Sequence, residues 1–93
     1  MQAVLSVGVI GTGGIAQSHI NTIENLENIQ LTAVMDIDAK RAEDTAVKYE
    51  AKAYNRLEDL LANPEIQAVH ICTPHSFHAD QVISAAEANK HVM

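Results

Sequence analysis

The sequence predicts an α/β fold built on a parallel sheet. Short apolar, strand-like runs alternate with helical patterns, and the connections are too short to set aside a separate antiparallel sheet. Glycines crowd the exit of the first run, where a strand would turn into a helix. Of 93 residues 47 % are apolar and 19 % charged, which argues against disorder, and no apolar run approaches the roughly 18 residues of a membrane span. Six basic against twelve acidic side chains give a net charge of −6, so nucleic-acid binding through a basic patch is not expected. The lone Cys72 excludes an intramolecular disulfide; with no export signal evident, a cytoplasmic setting is expected. One domain, residues 1–93, is expected.

Each element has its own signal. Residues 4–10 form a β-branched run closed by glycine, as in a strand buried on both faces. Ile15, Ala16, Ile20, Ile23 and Leu26 make a helical stripe, with Gln17, Asn21, Glu24 and Asn25 on the other face. Residues 31–35 form a second strand ended by Asp36, and Ala39, Ala42, Ala46 and Tyr49 repeat at helical spacing behind a cap at Asp38. A short strand over 51–54 and a helix through Leu57, Leu60 and Leu61, stopped by Asn63-Pro64, come next. A strand over 68–72 is broken by Thr73-Pro74. From about Ser76 a last helix places Ala79, Val82, Ile83 and Ala86 on one face, and 91–93 look like a strand only begun. Right-handed crossovers then give the order 3-2-1-4-5, with helices on both faces and the last strand truncated. That unfinished strand reads as part of a longer chain and makes a homo-oligomer through the open edge one expectation.

Gly11-Thr12-Gly13-Gly14-Ile15-Ala16 matches G-x-G-x-x-G/A between a strand and a helix. In that pattern the first glycine makes the tight turn, the second lets backbone approach a pyrophosphate, and the small sixth residue lets the helix pack on the strand. Asp36, about 20 residues beyond Ala16, stands where an acidic residue accepts hydrogen bonds from an adenosine ribose. The sheet is therefore read as Rossmann-type, a three-layer α/β/α sandwich that binds a dinucleotide. A carboxylate there repels a 2′-phosphate, so NAD is favoured over NADP. Arg41 is the one group that could answer a 2′-phosphate, though a solvated place on its helix is the favoured reading. Flavin and methyl-donor proteins use related turns, so the motif fixes a ligand class rather than a reaction.

The segment Cys72-Thr73-Pro74-His75-Ser76-Phe77-His78 follows the fourth strand, where the nicotinamide end of the cofactor would lie. A zinc site on Cys72, His75 and His78 and proton transfer by His78 are the sharper readings; ordering of the loop by hydrogen bonds is favoured. His70 and His91 are expected to be structural or at an interface, His19 a partly buried packing residue, and Cys72 a core residue without an activating base.

Val7-Gly8-Val9-Ile10-Gly11-Thr12-Gly13-Gly14-Ile15-Ala16, Ala33-Val34-Met35-Asp36 with Arg41-Ala42, Ala68-Val69-His70-Ile71-Cys72-Thr73-Pro74 with His78-Ala79, and Lys90-His91-Val92 together resemble the N-terminal domain of the Gfo/Idh/MocA oxidoreductases. The resemblance implies an NAD(P)-binding domain joined to a C-terminal α/β domain that builds the substrate pocket. It carries Gly11, Thr12, Gly13, Gly14 and Ile15 to the pyrophosphate, Asp36 to the ribose, and Thr73, Pro74 and His78 to the nicotinamide ribose. His75 follows Thr-Pro, where the family commonly has asparagine, and Asn89 replaces the usual glycine before Lys90. The family's Glu-Lys-Pro motif would begin after Met93, and Lys90, read as a surface residue, does not replace its lysine. The expectation is a domain that binds dinucleotide and does not catalyse, from a parent acting on a CH–OH group of a sugar, polyol or inositol-like substrate. The alternative is a stand-alone nucleotide-binding or assembly module.

Overall fold

A computed structural model describes residues 5–73 and 75–92, with the side chains of residues 14, 15 and 75–78 outside the description. In chain order the elements are β1 (Leu5–Ile10), α1 (Gly14–Glu24), β2 (Ile29–Met35), α2 (Ala39–Tyr49), β3 (Lys52–Tyr54), α3 (Leu57–Leu61), β4 (Ala68–Ile71), α4 (His75–Glu87) and β5 (His91–Val92). The five strands form one sheet in the order β3-β2-β1-β4-β5, and every pairing is parallel. This is the order read from the sequence. Among the described residues no helix is long and apolar enough to cross a membrane.

The strands are apolar on both faces because both faces are covered. Val9, Ala16, Ile20, Ile23, Leu31, Val34 and Ala46 pack together beneath α1 and α2. Ile10, Met35, Leu60, Ile66, Val69, Ile71 and Ala85 pack beneath α3 and α4. Ile10 and Ile20 are wholly buried, and burying such a side chain contributes about 1.5–3 kcal/mol relative to leaving it in water. Asp38 caps α2, its Oδ1 accepting from the N–H groups of Lys40 and Arg41. The helix ends at Glu50, which takes a left-handed conformation with φ +56°.

A break in strand register decides which way the site residues face. β1 and β2 pair Val7 with Leu31 but Gly8 with Ala33, leaving Thr32 as an extra residue. Leu31 consequently joins the α1/α2 cluster while Ala33, two positions on, joins the α3/α4 cluster. In an unbroken strand both would face the same way. The bulge puts Met35 under α3 and α4 and turns the next residue, Asp36, toward α1 and α2.

Several local expectations are corrected. Leu26 is not on the buried stripe, because α1 ends at Glu24 and Leu26 is half exposed in the turn that follows. On α4 the buried side is centred on Ala85, flanked by Val82 and Ala88, whereas Ala79, Ile83 and Ala86 are exposed. Ala79, Val82, Ile83, Ala85 and Ala86 spread over a broad arc of the helix, so periodicity alone does not fix its rotation. Gly8 passes under α3: a Cβ there would lie 3.1 Å from Leu60 Cδ2, a close approach that explains a glycine inside a strand. Lys90 is no simple surface residue, since its Nζ donates to the carbonyl oxygens of Asn63, at 2.9 Å, and Ile66, at 2.6 Å. Asn89, where the family usually has glycine, adopts φ +62°, a left-handed conformation that asparagine tolerates better than most residues.

Candidate functional site

The site lies at the carboxyl ends of β1 and β2, where β1 is flanked by β2 on one side and β4 on the other. Consecutive connections diverge there and open a crevice in a doubly wound sheet. Gly11 leaves β1 with φ +94°, and its N–H donates to the Met35 carbonyl at 2.7 Å. A Cβ at Gly11 would sit 3.1 Å from the carbonyl carbon and oxygen of Cys72. Only glycine satisfies both the dihedral and the space, which brings the turn after β1 against the loop after β4.

Gly13 is the N-cap of α1 and supplies no capping side chain, and no acidic residue stands in the first turn. The helix therefore presents free N–H groups and the positive end of its dipole to the crevice. Gln17, read from the sequence only as part of the polar face, braces this turn. Its Nε2 donates to the Thr12 carbonyl at 2.9 Å and to Thr45 Oγ1 on α2 at 3.2 Å.

Asp36 faces the turn and is 6 % exposed. Its Oδ2 accepts from the Thr12 N–H at 2.9 Å and the Thr12 hydroxyl at 2.8 Å, and its Oδ1 accepts from the Asp38 N–H at 2.9 Å. Burial pushes this carboxyl upward. The hydrogen bonds from Asp38 and Thr12 and the charge of Arg41 outweigh that effect and hold it below its ordinary value. Thr12 differs from the expectation that it faces a pyrophosphate: it is 2 % exposed, and both its donors are engaged by Asp36. Arg41 is also placed differently from a purely solvated helix residue. It remains half exposed, yet its Nη1 lies 3.6 Å from Asp36 Oδ2, its Nη2 4.0 Å from Asp38 Oδ2, and a Cβ added at Gly13 would lie 3.9 Å from its Nη1.

Ile37, directly after Asp36, is 84 % exposed. Such a large apolar side chain left in water at the rim of a crevice is unexplained by the core. Its signal in the sequence is an isoleucine between two aspartates just past a strand, which neither helical nor strand periodicity singles out.

On the β4 side, Thr73 donates its hydroxyl to the Gln81 side-chain oxygen, tying the loop to α4. Pro74 and the side chains of Ile15, His75 and His78 lie outside the described residues. Among the described residues no three His, Cys, Asp or Glu side chains are grouped to hold a metal. The Cys72 thiol is pushed up by burial, as expected of a packing residue. His70 is half-buried, its ring 5.0 Å from that of His19, and burial followed by the nearness of His19 pushes its pKa down. His19 itself is exposed rather than partly buried. A groove of about 730 Å³, lined in part by Lys52, Tyr54, Asp59, Asn63 and Glu65, contains none of the residues of the turn.

Comparison with known proteins agrees with this geometry. Residues 5–93 match the Gfo/Idh/MocA model, described as an oxidoreductase family with an NAD-binding Rossmann fold. An inositol 2-dehydrogenase of Salmonella paratyphi B is 36 % identical over 95 % of this chain and 27 % of its own length. The myo-inositol dehydrogenase of Lactobacillus casei, solved with NAD(H) and myo-inositol, superposes with a TM-score of 0.89 at 35 % identity, covering 96 % of this chain and 27 % of that one. KijD10, a 3-ketoreductase of Actinomadura kijaniata solved with NADP and TDP-benzene, gives a TM-score of 0.92 at 26 % identity, covering 97 % and 28 %. The chain thus spans about a quarter of the length of the curated relatives it matches. It belongs to the Gfo/Idh/MocA oxidoreductase family, as that family's NAD-binding Rossmann domain.

Proposed function

We propose that residues 1–93 are the dinucleotide-binding domain of an oxidoreductase acting on a CH–OH group of a sugar, polyol or inositol-like substrate, and that the domain prefers NAD to NADP. The observation that carries this reading is Asp36: a buried carboxylate, held ionised, at the end of β2 beside the uncapped start of α1. The residues present fit the cofactor. Gly11, Gly13, Gly14 and Ile15 would offer backbone to the pyrophosphate, Asp36 would accept from the adenosine ribose, and exposed Ile37 would supply apolar surface for the adenine. Thr73, Pro74 and His78 are assigned to the nicotinamide ribose by the family resemblance, and His75, which stands where the family commonly has asparagine, is assigned there only by its place after Thr-Pro. A bound nicotinamide would supply hydride transfer to or from a carbinol carbon.

The chain's own work is to bind and orient. Positive potential at α1 meets the pyrophosphate, and negative charge at Asp36 opposes a 2′-phosphate. The substrate class is supported by the dehydrogenase names among the relatives, and the chemistry on it needs a second domain of the kind that their greater length accommodates. Arg41 favours a second reading of the cofactor, in which NADP is also accepted, because its guanidinium stands beside the ribose acceptor. Thermal unfolding of the chain with NADH or NADPH separates these readings. A ligand at about 100 times its Kd that binds only the folded state adds roughly 2.7 kcal/mol. Stabilisation by NADH above that by NADPH is expected; no shift with either would overturn the proposal and favour an assembly module.

A further inference from the structure

The two oxygens of the Asp36 carboxylate are not equivalent, and the difference leads back to Thr12. Oδ2 accepts two hydrogen bonds from Thr12, one from its N–H and one from its hydroxyl, and also faces Arg41 Nη1. A carboxylate oxygen has about two lone-pair sites, so Oδ2 is saturated before any ligand arrives. Among the described residues Oδ1 accepts only from the Asp38 N–H and keeps a site free. We infer that Thr12 is a positioning residue for cofactor selectivity: its hydroxyl fixes the Asp36 carboxylate so that Oδ1 is presented to the ribose. The inference rests on the reading that Asp36 meets the adenosine ribose. Thr12 is too buried to touch the ligand itself, so it acts through Asp36.

Removal of the hydroxyl leaves an open lone pair on Oδ2 with Arg41 as the nearest donor group. The carboxylate then rotates toward the guanidinium and withdraws Oδ1 from the ribose. NADH loses a hydrogen bond to a charged acceptor. NADPH, whose 2′-phosphate gains nothing from Oδ1, is little affected.

The test is a fluorescence titration of the chain with NADH and with NADPH, read as the ratio of the two Kd values, for the wild type, Thr12→Val, Thr12→Ser and Asp36→Ala. Thr12→Val keeps the shape and the backbone donor, and the expected result is a fall of about tenfold in the preference for NADH, the size of one hydrogen bond to a charged group. Thr12→Ser restores the preference. A purely structural role would lower the unfolding temperature while leaving the ratio unchanged, and that result overturns the inference. If the valine variant does not fold, Thr12→Ala removes the same hydroxyl without demanding space and is read in the same way. Should Asp36→Ala abolish the preference while Thr12→Val leaves it intact, only the role of Thr12 fails. Should the wild type bind neither cofactor, or Asp36→Ala change nothing, the ribose reading fails and takes this inference with it.

Discussion

The turn after β1 and the loop after β4 leave the same end of the sheet and touch through Gly11 and Cys72, yet they are secured by different physics. The first is organised around a buried charge, with Thr12 giving two hydrogen bonds to Asp36 and Gln17 bracing the Thr12 carbonyl. The second is tied by the neutral pair of Thr73 and Gln81, and beneath it His70 keeps a buried Nδ1 with no hydrogen-bond partner among the described residues. Charge-assisted hydrogen bonds are about twice as strong as neutral ones. Among the described residues the turn after β1 is therefore held by the stronger set of bonds, and on the proposed reading that turn is the ribose side of the crevice.

The sharpest way to break this contrast is Gly11→Ala, which combines a positive φ with contact against the Cys72 backbone. A loss of roughly 2–3 kcal/mol in urea unfolding is expected, with loss of NADH binding. Asp36→Ala comes next. It should weaken NADH binding by about 10- to 100-fold, the range for hydrogen bonds to a charged group, and reduce the discrimination against NADPH in the same titration.

The two loops should also differ in their response to pH. Asp36 is held below its ordinary 3.8, so its contribution is present above that pH and is lost as pH falls through the lower folded-state value. His70 is held below its ordinary 6.5, so the unfolded chain takes up its proton first and stability declines as pH falls from about 6.5. Chemical unfolding followed from pH 7 to 5 should show a slope that flattens in His70→Phe and persists in Asp36→Asn. The smallest expected effect lies outside both loops. Glu50→Gly relieves a left-handed side chain at the end of α2 and should stabilise by about 1 kcal/mol, with cofactor affinity unchanged.

Strand order and the glycine turn were legible because each has a local signal: apolar runs of strand length, and glycines at a fixed offset from an acid. Asp36 was legible for the same reason. The inward turn of that carboxylate was not, because it depends on the extra residue Thr32 in the pairing of β1 with β2, a relation between two distant segments. The role of Thr12 was hidden likewise, since its partner stands 24 residues away. The rotation of α4 escaped because alanines on several sides give no contrast between buried and exposed faces. Lys90 escaped because a long aliphatic stem lets an ammonium reach part-buried carbonyls that no spacing rule anticipates.

Backbone amide shifts of the 93-residue chain, followed by NMR as NADH is added, test most directly whether the dinucleotide lies on the turn after β1 and against Asp36. The largest changes are predicted at Thr12, Gly13, Ile37 and Asp38, with smaller ones at Thr73. Changes confined to the groove around Lys52, Asn63 and Glu65, or none at the turn under saturating NADH, would contradict that placement.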